Sequence, residues 1–355
     1  MSNTLRVPYL PTIRDILRIY GLKAEKQLSQ NFLLQPKSVA SIVDKLGDLK
    51  SKSIIEIGSG PGTLTRNIIL DGPPKNLICV ELDRRFIPVL NELQMVARSR
   101  NCNMEIYRAD ILKLPMENIF EESVKEDCIN AADDDFPVKL IGNLPFNIST
   151  PLIVKWLHDI AEKRGLWSYG PVPMVLTFQK EVAERLAAKV WDEQRSRLSI
   201  ISQVYCKIEM LKTISGSAFS PKAKVDVGVV RITPKRSPDI PGGLFLYLEK
   251  LVKLSFQFRG KNLIKNLQTL FPVERPDLLL KLFEESGVNP LKKAVQLDVN
   301  EFRDLVTVYF RICSSDESLF GHNFQDKVNI RSWNDRKRIQ TGILGKSLLE
   351  HYLEN

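Results

Sequence analysis

Short apolar runs rich in isoleucine and valine alternate with longer amphipathic stretches from residue 53 onward. The first five runs begin at Ser53, Asn76, Met104, Val138 and Met174. Strands of a parallel sheet are buried on both faces and read as nearly continuous apolar runs, while the stretches between them have the 3.6-residue period of helices. The pattern therefore predicts a parallel α/β sheet with helices on both faces.

Two further apolar runs follow, one over residues 200–214 and one from Val227. No helical pattern separates them, and strands joined without a crossover helix pair in antiparallel fashion. We therefore expect a doubly wound sheet of seven strands that is closed by an antiparallel hairpin. The acidic stretch from Glu121 to Asp135 is expected to be a solvated loop.

The Pro- and Gly-rich segment that begins at Ser237 predicts a domain boundary. The chain beyond it has helical periodicity and few β-branched runs, which indicates a smaller all-α domain. A length of 355 residues also exceeds what one compact core usually absorbs. We predict an N-terminal helical segment (1–30), a sheet domain (31–236), a helical domain (244–311) and a C-terminal tail (312–355).

Composition narrows the class of protein. With 43% hydrophobic and 26% charged residues the chain is not disordered throughout, and no stretch approaches the roughly 18 uncharged apolar residues of a membrane span. Five cysteines without a C-x-x-C pair and only three histidines favour neither a disulfide framework nor a metal site. We expect a monomer with no metal and no membrane contact.

A glycine turn directly follows the first strand, over Glu56 to Gly62. Glycines at such a turn let the backbone approach a nucleoside, because no Cβ stands in the way. The third glycine comes two residues after the second, and Thr63 occupies the position of the last glycine in a dinucleotide fingerprint. This spacing favours S-adenosylmethionine over NAD; the alternative is a tight turn that binds nothing.

Acidic residues follow the next two strands. Glu81 lies about 20 residues past the glycines, where a carboxylate can accept both ribose hydroxyls. Asp110 ends the following strand and can accept the adenine amino group, with Leu82 and Ile111 beside the ring. Either acid alone could be a solvated strand end, but the ordered series predicts a cofactor site.

The fourth strand ends in the tetrapeptide Asn143 to Phe146. An adenine amino group is a poor nucleophile because its lone pair is delocalised into the ring. The side-chain oxygen of Asn143 and the carbonyl of Leu144, held by Pro145, can accept from that amine, while Phe146 stacks on a flipped base. The motif could be a plain turn, but its place in the series predicts amino methylation of a base.

Together these residues resemble the ribosomal RNA adenine dimethyltransferases, the family that includes the Erm resistance methyltransferases. The resemblance runs from about Pro11 to Arg311 and implies the class I, Rossmann-like methyltransferase fold. It also implies dimethylation of two adjacent adenines in the 3′-terminal hairpin of small-subunit ribosomal RNA with S-adenosylmethionine. The matching segments are Gln30 to Leu33, Glu56 to Gly62, Glu81, Asp110, Asn143 to Phe146, and Ala218 to Asp226.

The resemblance also implies roles for single residues. Two positions depart from the family: Phe146 replaces a frequent tyrosine, and Ala223 replaces the usual proline, so we expect a less rigid loop after Phe219. Asn143 would polarise the target amine, and Phe146 and Phe219 would clamp the base. The cofactor residues implied are Asn31, Leu33, Glu56, Gly58, Gly60, Glu81, Leu82, Asp110, Ile111 and Asn143.

Several segments look like the mitochondrial branch of the family, among them TFQKEVAERLAA from Thr177 and QRSRLS from Gln194. That likeness implies the mitochondrial matrix, with small-subunit ribosomal RNA and the assembling small subunit as partners. A paralogous transcription factor shares the fold, so the mitochondrial transcription machinery is a further candidate partner. Two alternatives stay open: a non-catalytic nucleic-acid-binding transcription factor, and an Erm-like enzyme for large-subunit RNA.

The formal charge of +9 is unevenly distributed. Residues 179–236 hold 12 basic and 6 acidic residues, and residues 251–355 hold 16 and 13, so the remainder is neutral. Basic residues near the Phe219 loop suit a phosphate-contacting rim, although solvated helix faces are the alternative. The run from Phe258 to Lys265 resembles the family's basic helix and implies a second RNA contact.

Overall fold

A computed structural model describes residues 11–25, 30–132, 135–272 and 274–322. The chain divides into two compact units. Of the described residues, those within 11–187 and 205–238 form the sheet unit, and those within 188–204 and 239–322 form the helical unit.

Nine strands are present in the described part of the chain. They are β1 (Phe32–Leu33), β2 (Ser53–Ile57), β3 (Asn76–Glu81), β4 (Asn103–Arg108), β5 (Val138–Gly142), β6 (Met174–Gln179), β7 (Cys206–Ile214), β8 (Phe219–Ser220) and β9 (Val227–Pro234).

The α-helices of the same residues fall in both units. They are α1 (Ile13–Ile19), α2 (Pro36–Val43), α3 (Thr63–Asp71), α4 (Ile87–Ser99), α5 (Glu122–Asn130), α6 (Phe146–Ala161), α7 (Lys180–Ala187), α8 (Arg197–Tyr205), α9 (Phe245–Ser255), α10 (Leu263–Leu267), α11 (Pro276–Ser286), α12 (Val299–Ser315) and α13 (Ser318–Gly321).

Seven strands form one sheet in the order β4-β3-β2-β5-β6-β9-β7. The first five are parallel, while β9 runs antiparallel to both β6 and β7. Every residue of β2 is buried, as expected of a central strand with helices on both faces. The predicted class I α/β sheet, closed by an antiparallel hairpin, is confirmed.

The sixth predicted strand is shorter than expected. Residues 200–205 belong to α8, and β7 begins only at Cys206. Ile200 and Val204 are fully buried at helical spacing, so they cover one side of a helix. A short apolar run does not distinguish a buried helix from a buried strand, and the prediction of a strand from residue 200 was wrong.

The acidic stretch from Glu121 to Asp135 was also wrongly predicted, because most of it forms α5. Val124 and Cys128 lie one helical turn apart and are both buried, while the acidic side chains face outward. Two apolar contacts are enough to hold a short helix against the protein once the rest of the fold is present.

The observed unit boundaries differ from the predicted ones at two places. Residues 188–204 pack with the helical unit although they lie within the predicted sheet domain. The boundary predicted after residue 311 falls inside α12, because the buried side of that helix continues through Ile312 and Cys313. Most of the predicted tail and the first ten residues of the N-terminal segment lie outside the described residues.

No helix in the described ranges is long and apolar enough to cross a membrane.

Gly62 is required where the glycine turn enters α3. Its φ of 78° lies in the left-handed region, and a Cβ built there would approach the Leu93 Cδ1 atom to 2.3 Å. We expect Gly62→Ala to lower the free energy of unfolding by about 1–3 kcal/mol through backbone strain and overpacking. Urea denaturation measures the change. Gly243→Ala is the control, because a Cβ at Gly243 meets no atom within 4 Å; equal losses in both variants would contradict this cause.

Candidate active site

The carboxyl ends of β2, β3, β4 and β5 border a cleft of about 1080 Å³, including its open mouth. Open α/β sheets bind their ligands at this edge. All residues predicted for the cofactor and the target base line this cleft: Asn31, Leu33, Glu56, Gly58, Gly60, Glu81, Leu82, Asp110, Ile111, Asn143, Leu144, Pro145, Phe146 and Phe219.

The glycine turn and the end of β3 hold each other in place. The backbone N–H of Gly60 donates to Glu81 Oε2 at 2.7 Å, and the N–H of Asp83 donates to Oε1 at 2.8 Å. Burial raises the pKa of Glu81, and these two backbone donors oppose that rise. A carboxylate has about four acceptor positions, so the fixed Glu81 side chain can accept further hydrogen bonds from hydroxyl groups.

A second acid, Asp83, anchors the chain that enters the site, and sequence reasoning missed it. Its carboxylate accepts from Arg85 Nε at 2.9 Å and from Gln30 Nε2 at 3.0 Å. Burial raises the pKa of Asp83, but the hydrogen bonds from Arg85 and Gln30 outweigh it and lower the pKa to about 2. The available signal was an aspartate directly after the strand end with an arginine two residues later.

The far wall of the cleft combines one acid with apolar side chains. Asp110 Oδ1 accepts the N–H of Leu112 at 3.0 Å, which fixes the carboxylate at the end of β4. Ile111 is buried and Leu82 is 53% exposed, so two aliphatic side chains border the space in front of Asp110. An acceptor beside apolar walls suits a flat heterocycle with an amino group.

An unpaired hydroxyl supports the fit of S-adenosylmethionine to this cleft. Thr63 Oγ1 is buried at the start of α3, and no residue that the structure describes forms a hydrogen bond with it. Buried polar atoms are normally paired, so a polar ligand group would satisfy this oxygen.

Within the described ranges, no group of three or more His, Cys, Asp or Glu side chains could hold a metal ion.

Glu56 lines the cleft but directs its hydrogen bonds into the core. Its Oε2 accepts from Thr65 Oγ1 at 2.6 Å and lies 3.7 Å from Cys79 Sγ. Complete burial raises the pKa of Glu56 from 4.5 to about 7, although the bonds from Thr65 and Cys79 counteract it. This acid therefore braces β2 against α3 and β3.

Asn143 is held from two sides, and one of its partners, Thr177, was not predicted. Asn143 Nδ2 donates to the carbonyl oxygen of Asn31 at 3.3 Å, and Thr177 Oγ1 donates to Asn143 Oδ1 at 2.9 Å. A carbonyl can only accept, so the Asn31 contact requires the nitrogen on that side and turns Oδ1 toward Thr177. Thr177 is fully buried on β6 and has no sequence motif around it that marks this role.

The rest of the tetrapeptide begins α6. Pro145 is the N-cap residue, and its carbonyl accepts from Ile148 and Ser149. Phe146, the first residue of the helix, is half-buried and lines the cleft. The positive end of the helix dipole thus lies beside the Leu144 carbonyl, which accepts no hydrogen bond from the described residues.

A two-stranded ladder joins the start of the sheet unit to the Phe219 loop. Leu33 pairs with Phe219 and Phe32 pairs with Ser220, in antiparallel fashion. The Phe219 ring is 5% exposed, so it contributes an apolar surface to the cleft rather than a freely accessible face. Nothing in the sequence predicted this pairing.

The loop after Phe219 is closed by a hydrogen bond that a proline at position 223 could not form. Ala223 is buried, and its backbone N–H donates to the Gly216 carbonyl at 3.0 Å. Asp226 Oδ1 accepts the Gly216 N–H at 3.1 Å across the same loop. Proline would restrict the backbone through its ring but has no N–H. Alanine lacks the ring and restrains the loop through its hydrogen bond to Gly216 instead.

Comparison with known proteins agrees with this geometry. The family model of the ribosomal RNA adenine dimethylases matches residues 21–310. The mitochondrial dimethyladenosine transferase 1 of Bos taurus is 44% identical over 332 residues, covering 93% of this chain and 95% of that protein. The Homo sapiens protein of the same name is 44% identical over 338 residues, covering 94% and 95%.

A solved structure is also similar. The dimethyladenosine transferase from Plasmodium falciparum superposes with a TM-score of 0.60 at 26% identity, covering 79% of this chain and 98% of that one.

The buried carboxyl of Glu56 should make stability depend on pH. Its pKa is near 7 when folded and 4.5 when exposed, so the folded state retains its proton longer and loses stability as the pH rises from 4.5 to 7. Glu56→Gln removes this titration, and above pH 7 we expect it to exceed the wild type by about 3 kcal/mol in unfolding free energy.

Urea denaturation at pH 5, pH 6.5 and pH 8 measures the difference between Glu56→Gln and the wild type. The gap should widen with pH. A gap that stays constant across this range would show that Glu56 does not carry the titration. Glu105→Gln, on the exposed edge of β4, is the matched control for replacing a carboxyl by an amide at the surface.

Proposed function

The chain belongs to the ribosomal RNA adenine dimethylase family, and on that premise we propose that it methylates two adjacent adenines in the 3′-terminal hairpin of small-subunit ribosomal RNA. Members of this family are adenine N6,N6-dimethyltransferases that use S-adenosylmethionine. This protein is therefore an S-adenosylmethionine-dependent adenine dimethyltransferase as well. The choice of hairpin, the roles of single residues and the cellular partners are the proposal.

The observation that carries the proposal is the fixed orientation of Asn143. Its Oδ1 accepts one hydrogen bond, from Thr177, and keeps a second acceptor position for an amine. The Leu144 carbonyl lies next to it in the chain and has no competing donor among the described residues. Two acceptors aimed at one amine are what adenine N6 requires, because both of its protons must be bound to draw the lone pair out of conjugation.

Each of these residues has a different role in the reaction. Bound S-adenosylmethionine supplies an electrophilic methyl group on a sulfonium. Glu81 and Asp110 would hold the cofactor, while Asn143 and Leu144 would hold the amine and Phe146 would support the ring. The methylated amine is more acidic than the incoming one, so water can take its proton and no strong base is needed.

Fewer basic residues of the segment 179–236 lie beside the cleft than the sequence count suggested. Arg195 is 1% exposed, and residues 188–204 belong to the helical unit, so the basic residues of 179–236 are divided between the two units. Lys222 and Lys224 are exposed on the loop after Phe219 and form no ion pair with described residues. They are the cations that we assign to the RNA backbone beside the cleft.

We place the protein in the mitochondrial matrix with the assembling small ribosomal subunit as its partner. The relatives in cattle and humans, which match most of this chain, are named mitochondrial. A non-catalytic transcription factor is the main competing function. The intact arrangement of Glu81, Asp110 and Asn143 around one cleft favours the enzyme.

Methyl transfer to a small-subunit 3′ hairpin tests the proposed function directly. We expect Asn143→Ala to lower kcat by about a hundredfold or more, because a preorganised group at the reacting centre is lost. Incorporation of radiolabelled methyl groups measures the rate. Wild-type protein without transfer, or Asn143→Ala with undiminished transfer, would contradict the proposal.

Mapping of N6-methylated adenines in both mitochondrial ribosomal RNAs identifies the substrate. Marks that depend on the protein should appear only in the small-subunit hairpin. Marks in the large subunit would support the Erm-like alternative, and a protein without affinity for S-adenosylmethionine in calorimetry would support the non-catalytic one.

Thr177 should act on the rate through Asn143. Thr177→Val keeps the shape of the side chain and removes the hydroxyl, so Asn143 Oδ1 loses the donor that holds it. We expect kcat to fall about tenfold, which corresponds to one lost hydrogen bond to a group in the reacting site. Thr177→Ser should restore most of the rate, and cofactor affinity should stay constant in both variants. A serine variant as slow as the valine variant would show that only packing was changed.

A further inference from the structure

Trp191 in the helical unit has two properties that rarely occur together. Its side chain is 70% exposed, and its backbone φ of 73° lies in the left-handed region. A bulky residue at positive φ is a genuine outlier, and such strain persists only where the surrounding structure imposes it. The combination indicates that the turn presents the indole to a ligand.

The buried side chain of Arg195 holds the turn that carries Trp191. This guanidinium is 1% exposed and donates to the Ala188 carbonyl at 2.9 Å and to the Leu297 carbonyl at 2.9 Å. The backbone N–H of Trp191 donates to the Val295 carbonyl at 2.9 Å. The backbone that carries the indole is therefore ordered before a ligand binds, which lowers the ordering cost of binding.

A second exposed aromatic side chain, Phe258, is presented in the same way. It is 57% exposed on the turn between α9 and α10. The side chain of Asn266, 2% exposed, holds that turn: its Oδ1 accepts the Phe258 N–H at 3.1 Å, and its Nδ2 donates to the Ser255 carbonyl at 2.8 Å. Both aromatic turns are thus fixed by a buried polar side chain.

The two turns bond to one short segment of the helical unit. Trp191 bonds to Val295, and Asn262, just after the second turn, forms an antiparallel bridge with Lys293. Lys293 and Val295 are only two residues apart, at the start of a short 3-10 turn. The shared segment places the two turns close enough on the helical unit for a strand of several nucleotides to reach both.

The charges around these turns suit a polyanion. Lys189, Arg259, Lys261 and Lys293 are exposed, and none forms an ion pair with residues that the structure describes. Two acids follow Trp191: the carboxylate of Asp192 accepts the backbone N–H of Gln194 at 2.8 Å and so serves the turn itself, and Glu193 is exposed. The four cations outnumber these two acids. Aromatic faces among unpaired cations are the arrangement that binds unstacked nucleotides.

We propose that Trp191 is a base-stacking platform for single-stranded RNA on the helical unit, which extends the RNA contact that the family resemblance already implies for the Phe258 turn. This surface rests on the proposed function in one respect, since RNA is the substrate there. It adds a contact outside the cleft, for nucleotides that flank the methylated hairpin.

Trp191→Gly gives a sharp test, because glycine adopts this φ without strain. We expect its melting temperature to equal or exceed that of the wild type, while its affinity for a twelve-nucleotide uridine oligomer falls by about fivefold to a hundredfold. Trp191→Tyr should restore much of the affinity. Leu246→Ala, which removes an aliphatic side chain 50% exposed in the same unit, is the control and should bind normally.

Fluorescence provides an independent measurement in the full chain. Trp156 and Trp167 are buried, so in a Trp333→Phe background the quenching caused by the uridine oligomer reports on Trp191. Quenching that saturates with binding supports the platform. Binding without quenching, unchanged affinity in Trp191→Gly, or no binding by the wild type would overturn it.

Two further arms distinguish RNA binding at this surface from methylation in the cleft and from a contact between protein copies. The oligomer contains no adenine, so a failure of hairpin methylation in the wild type would count against the proposed function and leave this result standing. Sedimentation of the wild type and of Trp191→Gly tests a protein contact: self-association that only the wild type shows would assign Trp191 to an interface between copies and overturn the proposal.

Discussion

The parallel register of four strands is the constraint on which the rest of the molecule depends. Ile57 at the end of β2 pairs with Val80 on one side and with Gly142 on the other. The residues that follow these strands therefore emerge at the same edge, and they include Glu81 and Asn143. A slip of one residue would turn these side chains to the opposite faces of the sheet and dissolve the cleft.

Contacts distant in sequence then connect the cofactor side of the cleft to the target side. The carbonyl of Asn31 fixes the amide of Asn143, and two residues later Leu33 pairs with Phe219. The segment that would contact the cofactor thus also sets the amide that would polarise the amine. Productive geometry for both substrates depends on the same few backbone positions, which is the kind of preorganisation that transfer chemistry needs.

Buried polar side chains hold the groups that we assign to ligands in both units. Thr177 orients Asn143, Arg195 supports the turn of Trp191, and Asn266 supports the turn of Phe258. Each buried group is costly to leave unpaired, so it holds its partners in one arrangement.

The sequence by itself determined the seven-stranded sheet and the order of the cleft-lining residues at its edge. A buried strand is a short run of consecutive apolar residues, so both the strand and the residue that ends it can be located in the sequence. It did not show that residues 200–205 are helical, since a short apolar run suits either element. Only the tertiary structure decided that Thr177 orients Asn143 and that Leu33 pairs with Phe219. Those contacts join positions 34 and 186 residues apart, and partner choice at that range is set by packing and hydrogen-bond geometry rather than by local pattern.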